Sequence, residues 1–113
     1  ETNDKMIPTG NILPKENFFD VKNNQVNLQD VSLDNGFENL IFNDSKQSVF
    51  SINELQIIFD KHYLFAQIYA PNNMDKPYVC IEPMTAATNA INKNQCRLLN
   101  TNEKFSAVFS IVL

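Results

Sequence analysis

Short apolar runs, each closed off by polar residues, organise most of this chain. "NLIF" at 39–42, "SVFSI" at 48–52, "LQIIFD" at 55–60 and "YLFAQIYA" at 63–70 read as strands. Each is rich in β-branched or aromatic residues and is bounded by Asn, Asp, Ser or Lys. "YVCIE" at 78–82 continues the series, followed by a short "CRLL" at 96–99 and a closing "KFSAVFSIVL" at 104–113. In that last run Phe105, Ala107, Phe109, Ile111 and Leu113 fall on one face, and Ser106, Val108, Ser110 and Val112 on the other. The second face is only half polar, which predicts protein cover on both sides, as in a sandwich. The tight "DKH" link at 60–62 predicts a hairpin between the strands that flank it.

Turn signals separate the runs. Pro8-Thr9-Gly10, Leu13-Pro14 and Asp34-Asn35-Gly36 are turn sequences, and 71–77 is a loop fenced by prolines. "FFDV" at 18–21 is an apolar island in a polar, Asn-rich opening. No segment keeps a helical period, and "TAATNAIN" at 85–92 has room for a single helical turn. Many short strands at near-regular spacing predict an all-β fold, an antiparallel β-sandwich, with one domain over 1–113. Leu64, Phe65, Val79, Ile81, Phe105, Phe109 and Ile111 are expected in its core.

Composition narrows the functional classes. At 43% hydrophobic residues the 113-residue chain can bury a core, with nine Phe and no Trp supplying much of its bulk. A net charge of −4 and a pI near 4.8 leave no basic patch to neutralise phosphates, so no nucleic-acid partner is expected. Lys and Arg are scattered singly, and no apolar run approaches the roughly 20 residues of a membrane helix, so no membrane partner is expected either. Cys80 and Cys96 fit no zinc spacing and read as free thiols of a cytoplasmic protein, with a single bridge as the other possibility. Asn43-Asp44-Ser45 matches a glycosylation pattern that is common by chance. Nucleophilic serine motifs, phosphate loops and metal-ligand clusters are lacking, so neither a metal nor a cofactor is expected.

Four polar residues stand out. Alternation from Tyr78 puts Tyr78, Cys80 and Glu82 on one strand face, and Pro83 stops the ladder immediately after the carboxylate. Small residues at 85–88 leave room beside Glu82. A carboxylate in a dry cavity suits general-base work, whereas a strand-end glutamate pointing to solvent has no such role. Asp34 opens an Asn-Gly turn, where it either meets a ligand or caps its own backbone. Gln67 sits inside an apolar strand on the face of Tyr63, Phe65 and Tyr69. An aromatic strip carrying one amide suits a sugar, whose pyranose ring stacks on aromatic faces, and equally suits a half-exposed sheet face. His62, the one histidine, has no acidic partner at a meaningful spacing and reads as an exposed turn residue.

Taken in order, these segments resemble the C-terminal half of the aldose 1-epimerases, the galactose mutarotase family. "MIPTGNILP" resembles the family's link into its second half, and "VSLDNGFENL" its Leu-Asp-Asp-x-Phe or Asp-His-x-Phe segment. "AQIYAPNN" resembles its Gln-Val-Tyr-Thr strand. "VCIEPMTAATNAIN" resembles the specific Leu-Glu-Pro or Leu-Glu-Thr motif that runs on to Asn-Ala-x-Asn, and "LLNTNEKFSAVFSI" the closing segment. The resemblance implies a large, mostly antiparallel β-sandwich, a hexose substrate and no cofactor. It implies Glu82 as catalytic base, with Asp34 and Gln67 binding the sugar. Asn102 stands where the family has glycine, and Asn35 where it has a second aspartate. The family's acid histidine, its second histidine and an arginine belong to the preceding half, and His62 matches neither histidine. The chain is therefore expected to be the C-terminal portion of a longer enzyme, with the N-terminal half as its partner. A non-catalytic sugar-binding sandwich is the alternative.

Overall fold

A computed structural model describes residues 1–18, 25–72 and 74–113. Among these residues six strands form: β1 (Leu33–Phe37), β2 (Ser48–Ile52), β3 (Leu55–Phe59), β4 (Phe65–Ala70), β5 (Cys80–Met84) and β6 (Phe109–Val112). The only helical elements among the described residues are three 3₁₀ turns, at Lys15–Asn17, Leu28–Asp30 and Ile91–Lys93. None is long and apolar enough to cross a membrane. The fold is all-β, with every strand pair antiparallel.

The strands divide into two three-stranded sheets, ordered β1-β4-β5 and β2-β3-β6. Strand contacts of any extent fall within each sheet. The radius of gyration is 15.4 Å, against about 13 Å for a compact domain of this length.

The first sheet has one apolar side. Leu33 pairs with Ala70, and Val31 precedes them; all three are buried. Phe18, Val26, Leu28, Ile68 and Val79 pack against this cluster. The 3₁₀ turn at Leu28–Asp30 brings Val26 and Leu28 under the sheet. Its cap is Asn27, whose side chain accepts the Gln29 amide at 3.2 Å and donates to Asp30 at 2.9 Å. In the second sheet Phe59 is fully buried, with the Phe50 ring 5.0 Å away and the Tyr63 ring 5.5 Å away.

The hairpin lies elsewhere than expected. β2 and β3 form it across Asn53-Glu54, with Asn53 at positive φ. The "DKH" link instead carries the chain from one sheet to the other, since β3 pairs with β2 and β6 while β4 pairs with β1 and β5. Asp60 is the reason. Its carboxylate accepts the His62 amide at 2.8 Å and the Val108 amide at 2.7 Å, and its own amide donates to Val108 O at 3.1 Å. The link is tied to the start of β6, not folded back on β3.

Other expectations also change. Residues 34–36 are not a turn but lie inside β1, and 39–42 is not a strand. "CRLL" is irregular, and only Phe109–Val112 of the closing run pairs. Every residue of β6 is exposed, so protein does not cover both of its faces. Phe109, Ile111 and Leu64 are exposed, and Phe65, Val79, Ile81 and Phe105 only half-buried. Among the described residues, the buried apolar ones are Val31, Leu33, Phe59, Ala66, Ala70 and Ala90. Of the apolar island at 18–21, all but Phe18 lies outside the described residues. Two left-handed positions fall at these turn sequences. Gly10 has φ +97° in the Pro-Thr-Gly turn, and Asn102 has φ +69° where the resembled family has glycine.

Asp60 links stability to pH. Partial burial pushes its carboxyl up, but the His62 and Val108 amides and the His62 ring outweigh that, and the net shift is downward from 3.8. A depressed folded pKa means the contribution is whole above the unfolded value and is lost as pH falls through the folded one. Asp60→Ala should cost roughly 1.5–3 kcal/mol near neutral pH, the worth of hydrogen bonds to a charged group. In urea melts the gap between wild type and variant should shrink once the pH falls below about 4. A gap independent of pH would remove the carboxylate from this role.

Candidate functional site

Strand register determines what shares the other side of the first sheet. Gly36 pairs with Gln67, and Gln67 with Glu82, so the three form one row across β1, β4 and β5. Asp34, Tyr69 and Cys80 form the next row, about 6.8 Å further along at two residues of strand rise. Phe65 and Met84 pair on the other flank of Gln67. Because side chains alternate, all of these project to the side opposite Leu33 and Ala70.

This side borders a cleft of about 1040 Å³ whose lining includes Asp34, Gln67 and Glu82. The three candidate residues, far apart in sequence, are thus brought together. Gln67 Nε2 donates to Asp34 Oδ1 at 2.8 Å, a diagonal link between the two rows. That bond turns the amide oxygen toward Gly36 and holds the carboxylate still. Glu82 stands across β4 from Asp34 and one row along, two strand spacings by two residues of rise, or about 12 Å away on the sheet. It is exposed, not sunk in a dry floor, and its carboxylate has no hydrogen-bond partner among the described residues. Pro83 does not end the strand either. It pairs with Ala66 within β5, an edge strand, where a missing donor is tolerated.

The cleft has walls that sequence reasoning missed. Phe65 supplies aromatic surface, and Thr88, Lys93 and Gln95 supply polar groups. The last three come from the segment after β5, whose 3₁₀ turn ends at Asn94 in the left-handed region. Small residues at 85–88 were the available signal, but only as space beside Glu82. The opening segment also lines the cleft, from Glu1 to Lys15. It is laced to itself: Thr9 Oγ1 and Asn11 Nδ2 both donate to the Glu1 carboxylate, at 2.7 and 2.8 Å. These bonds hold the Glu1 carboxyl below its ordinary range.

His62 lies elsewhere. It is half-buried in the link between the sheets, with Nδ1 3.1 Å from Asp60 Oδ1 and its ring edge-on to Phe105 at 5.5 Å. Asp60, two residues earlier, is the acidic partner that spacing alone did not suggest. Cys80 and Cys96 are both free and half-buried.

A polar face of this kind can accept and donate several hydrogen bonds to a hydroxylated ligand. Asp34 is pinned through one oxygen, and the other has no partner among the described residues. Gln67 offers both an acceptor and a donor. Glu82 offers a free carboxylate able to take a proton.

Gly36 sits tightly in this row. A Cβ there would stand 3.3 Å from Gln67 Oε1 and 3.5 Å from Thr88 Oγ1. Gly36→Ala should therefore push the Gln67 amide off Asp34 and shift its side-chain NH₂ resonances. Stability should change by less than about 1 kcal/mol, since replacing a strand glycine also removes a backbone-entropy cost. Unmoved Gln67 resonances would show that the space is made elsewhere. No family model, curated protein or solved structure matches this chain in comparison, so the cleft is interpreted from its own geometry.

Proposed function

We propose that this chain carries the base-bearing side of an aldose 1-epimerase site. Glu82 takes the proton from the anomeric hydroxyl of a hexose, while an acid protonates the ring oxygen as the C1–O5 bond breaks. The aldehyde rotates about C1–C2 and recloses on its other face, giving the other anomer. Asp34 and Gln67 hold sugar hydroxyls, and Phe65 offers apolar surface to the ring. The observation that carries this reading is the row Gly36–Gln67–Glu82 with Asp34 bonded diagonally to Gln67. It gives a free carboxylate and a pinned one on opposite sides of an amide. It agrees with the roles that the family resemblance implies for these three residues.

The described lining holds no histidine, and Asp60 keeps His62 in the link between the sheets. On this reading the acid comes from a polypeptide segment outside these residues, the N-terminal half of the enzyme. The same observation, with the exposure of Glu82, favours a second reading: a sugar-binding module that performs no chemistry.

Polarimetry on freshly dissolved α-glucose and α-galactose separates the two. In the full-length enzyme that the first reading requires, Glu82→Gln should slow mutarotation by about 10²–10⁴-fold while sugar binding persists. Gln keeps the size and one acceptor but takes no proton at neutral pH. Asp34→Ala should act mainly on KM, because it removes a contact made equally in ground and transition states. These residues alone should not exceed the background rate. Full activity in Glu82→Gln would leave the binding module as the better account.

A further inference from the structure

Both sheets end in edge strands, and the edges are not alike. β1 holds Asp34 and runs on to Glu38, β5 holds Glu82 and Pro83, and β2 lies between Lys46 and Glu54. Charge and proline at an edge block further strand pairing. β6 has neither: the run from Phe105 to Leu113 contains no charged side chain and no proline. Val108, Phe109, Ile111 and Val112 are apolar and exposed.

Backbone direction decides what this edge offers. Val108 turns both peptide groups toward Asp60, at the end of β3. Its amide donates to the carboxylate at 2.7 Å, and its carbonyl accepts the Asp60 amide at 3.1 Å. Successive residues of a strand turn their peptide groups to alternate sides. Ser110 and Val112 therefore face β3 with Val108, while Phe109 and Ile111 turn theirs to the open edge. Among the described residues no strand lies along it.

The sequence around Ser110 matches its own reverse. Reading outward from Ser110 gives Phe109 and Ile111, then Val108 and Val112. A second copy laid antiparallel on a twofold axis at Ser110 sets Ser110 against Ser110, Phe109 against Ile111 and Val108 against Val112. The Phe109–Ile111 pair forms once on each side of the axis and exchanges both of its N–H···O bonds, so it uses the peptide groups that the edge leaves open. It is also an aromatic and β-branched pair, a favourable cross-strand combination. Phe109 and Ile111 share the side of Phe59 and Ile57, so the apolar side of one sheet continues into the next. Charge favours the same occupant. Two copies of a chain with net charge −4 meet here on a stretch with no side-chain charge to repel.

We infer that β6 is a homodimer interface, through which two copies join their three-stranded sheets into one, ordered β2-β3-β6-β6-β3-β2. None of its residues lines the cleft. The interface is isologous and closes on itself.

Sedimentation equilibrium of the 113-residue chain from about 1 to 200 µM should show a mass rising from 12.9 kDa toward twice that value, with a dissociation constant on the order of micromolar. Ile111→Pro removes an amide of the open edge and none that faces β3. It should keep the β circular dichroism and hold the mass at one copy. Ile41→Lys, at an exposed apolar residue outside both sheets, should dimerise as wild type does. Ser110→Cys places two thiols on the axis, where paired Cα atoms stand about 4.5 Å apart, and should give a disulfide-linked dimer on mild oxidation that wild type does not. Amide exchange at Phe109 and Ile111 should slow by about tenfold or more from the dilute to the concentrated sample, while Ser110 and Val112 stay slow in both. A single-chain mass throughout leaves the edge to a different polypeptide segment and overturns the interface. So does a dimer that Ile111→Pro leaves intact. Masses that grow past two copies overturn the twofold pairing. They would assign the edge to β2 of the next copy, where Val49–Ile52 repeats Val108–Ile111 residue for residue.

Discussion

Strand β4 is hydrogen-bonded on both sides, and its register against β1 and β5 decides which side chains share a face. A slip of a single residue would move Gln67 to the side of Leu33 and Ala70 and bring Ala66 out beside the cleft. That slip would cost on both faces, burying an amide without partners and exposing the small core. The core cluster of Val31, Leu33 and Ala70 thus sets the position of the polar row from behind. The Gln67–Asp34 bond adds a constraint from the front, because it forms only when β1 and β4 are aligned as they are.

The second sheet is built on a different principle. Aromatic packing around Phe59 supplies its core, with Phe50, Tyr63 and, at 6.5 Å from Tyr63, Phe109. A carboxylate joins it to the rest of the chain. Asp60 holds the two ends of a long sequence separation together by binding amides at 62 and 108. Close by, Arg97 stacks over Phe105 at 4.6 Å, and Phe105 meets the His62 ring. The link between the sheets is therefore a polar and aromatic cluster with no role in lining the cleft. The one histidine of the sequence belongs to it.

The polar face and the cleft form one surface. Asp34 is its centre: it is bonded to Gln67, opposite Tyr69 in register, and on the wall of the cleft. A carboxylate fixed by a neighbouring amide is a better hydroxyl acceptor than a free one, since its rotamer entropy is already spent. Glu82 differs from it in having no such partner among the described residues. That contrast between a held carboxylate and a free one is what separates binding from proton transfer in the proposed chemistry.

Local sequence was enough for what depends on local chemistry. β-branched and aromatic runs marked β2, β3, β4 and β5, and alternation put Gln67 with Phe65 and Tyr69, and Glu82 with Cys80. The all-β class followed from the absence of any helical period. One left-handed position was legible: Asn102, where the resembled family has glycine, takes positive φ. What depends on pairing was not legible. Asp34-Asn35-Gly36 carries the strongest turn signal in the sequence, yet it is extended, because β4 pairs along it and Gly36 is needed where Gln67 and Thr88 approach closely. The "DKH" link looks like a hairpin until Val108, far along the chain, takes up the Asp60 carboxylate. Burial of the closing run was misjudged for the same reason. An apolar pattern states which residues could be covered, and only the arrangement of the sheets decides whether anything covers them. The sequence by itself marked β2 to β6, though not β1, together with the alternation of their faces. The tertiary structure alone decided that Asp34, Gln67 and Glu82 meet, because strand register is a contact between segments that no local propensity encodes.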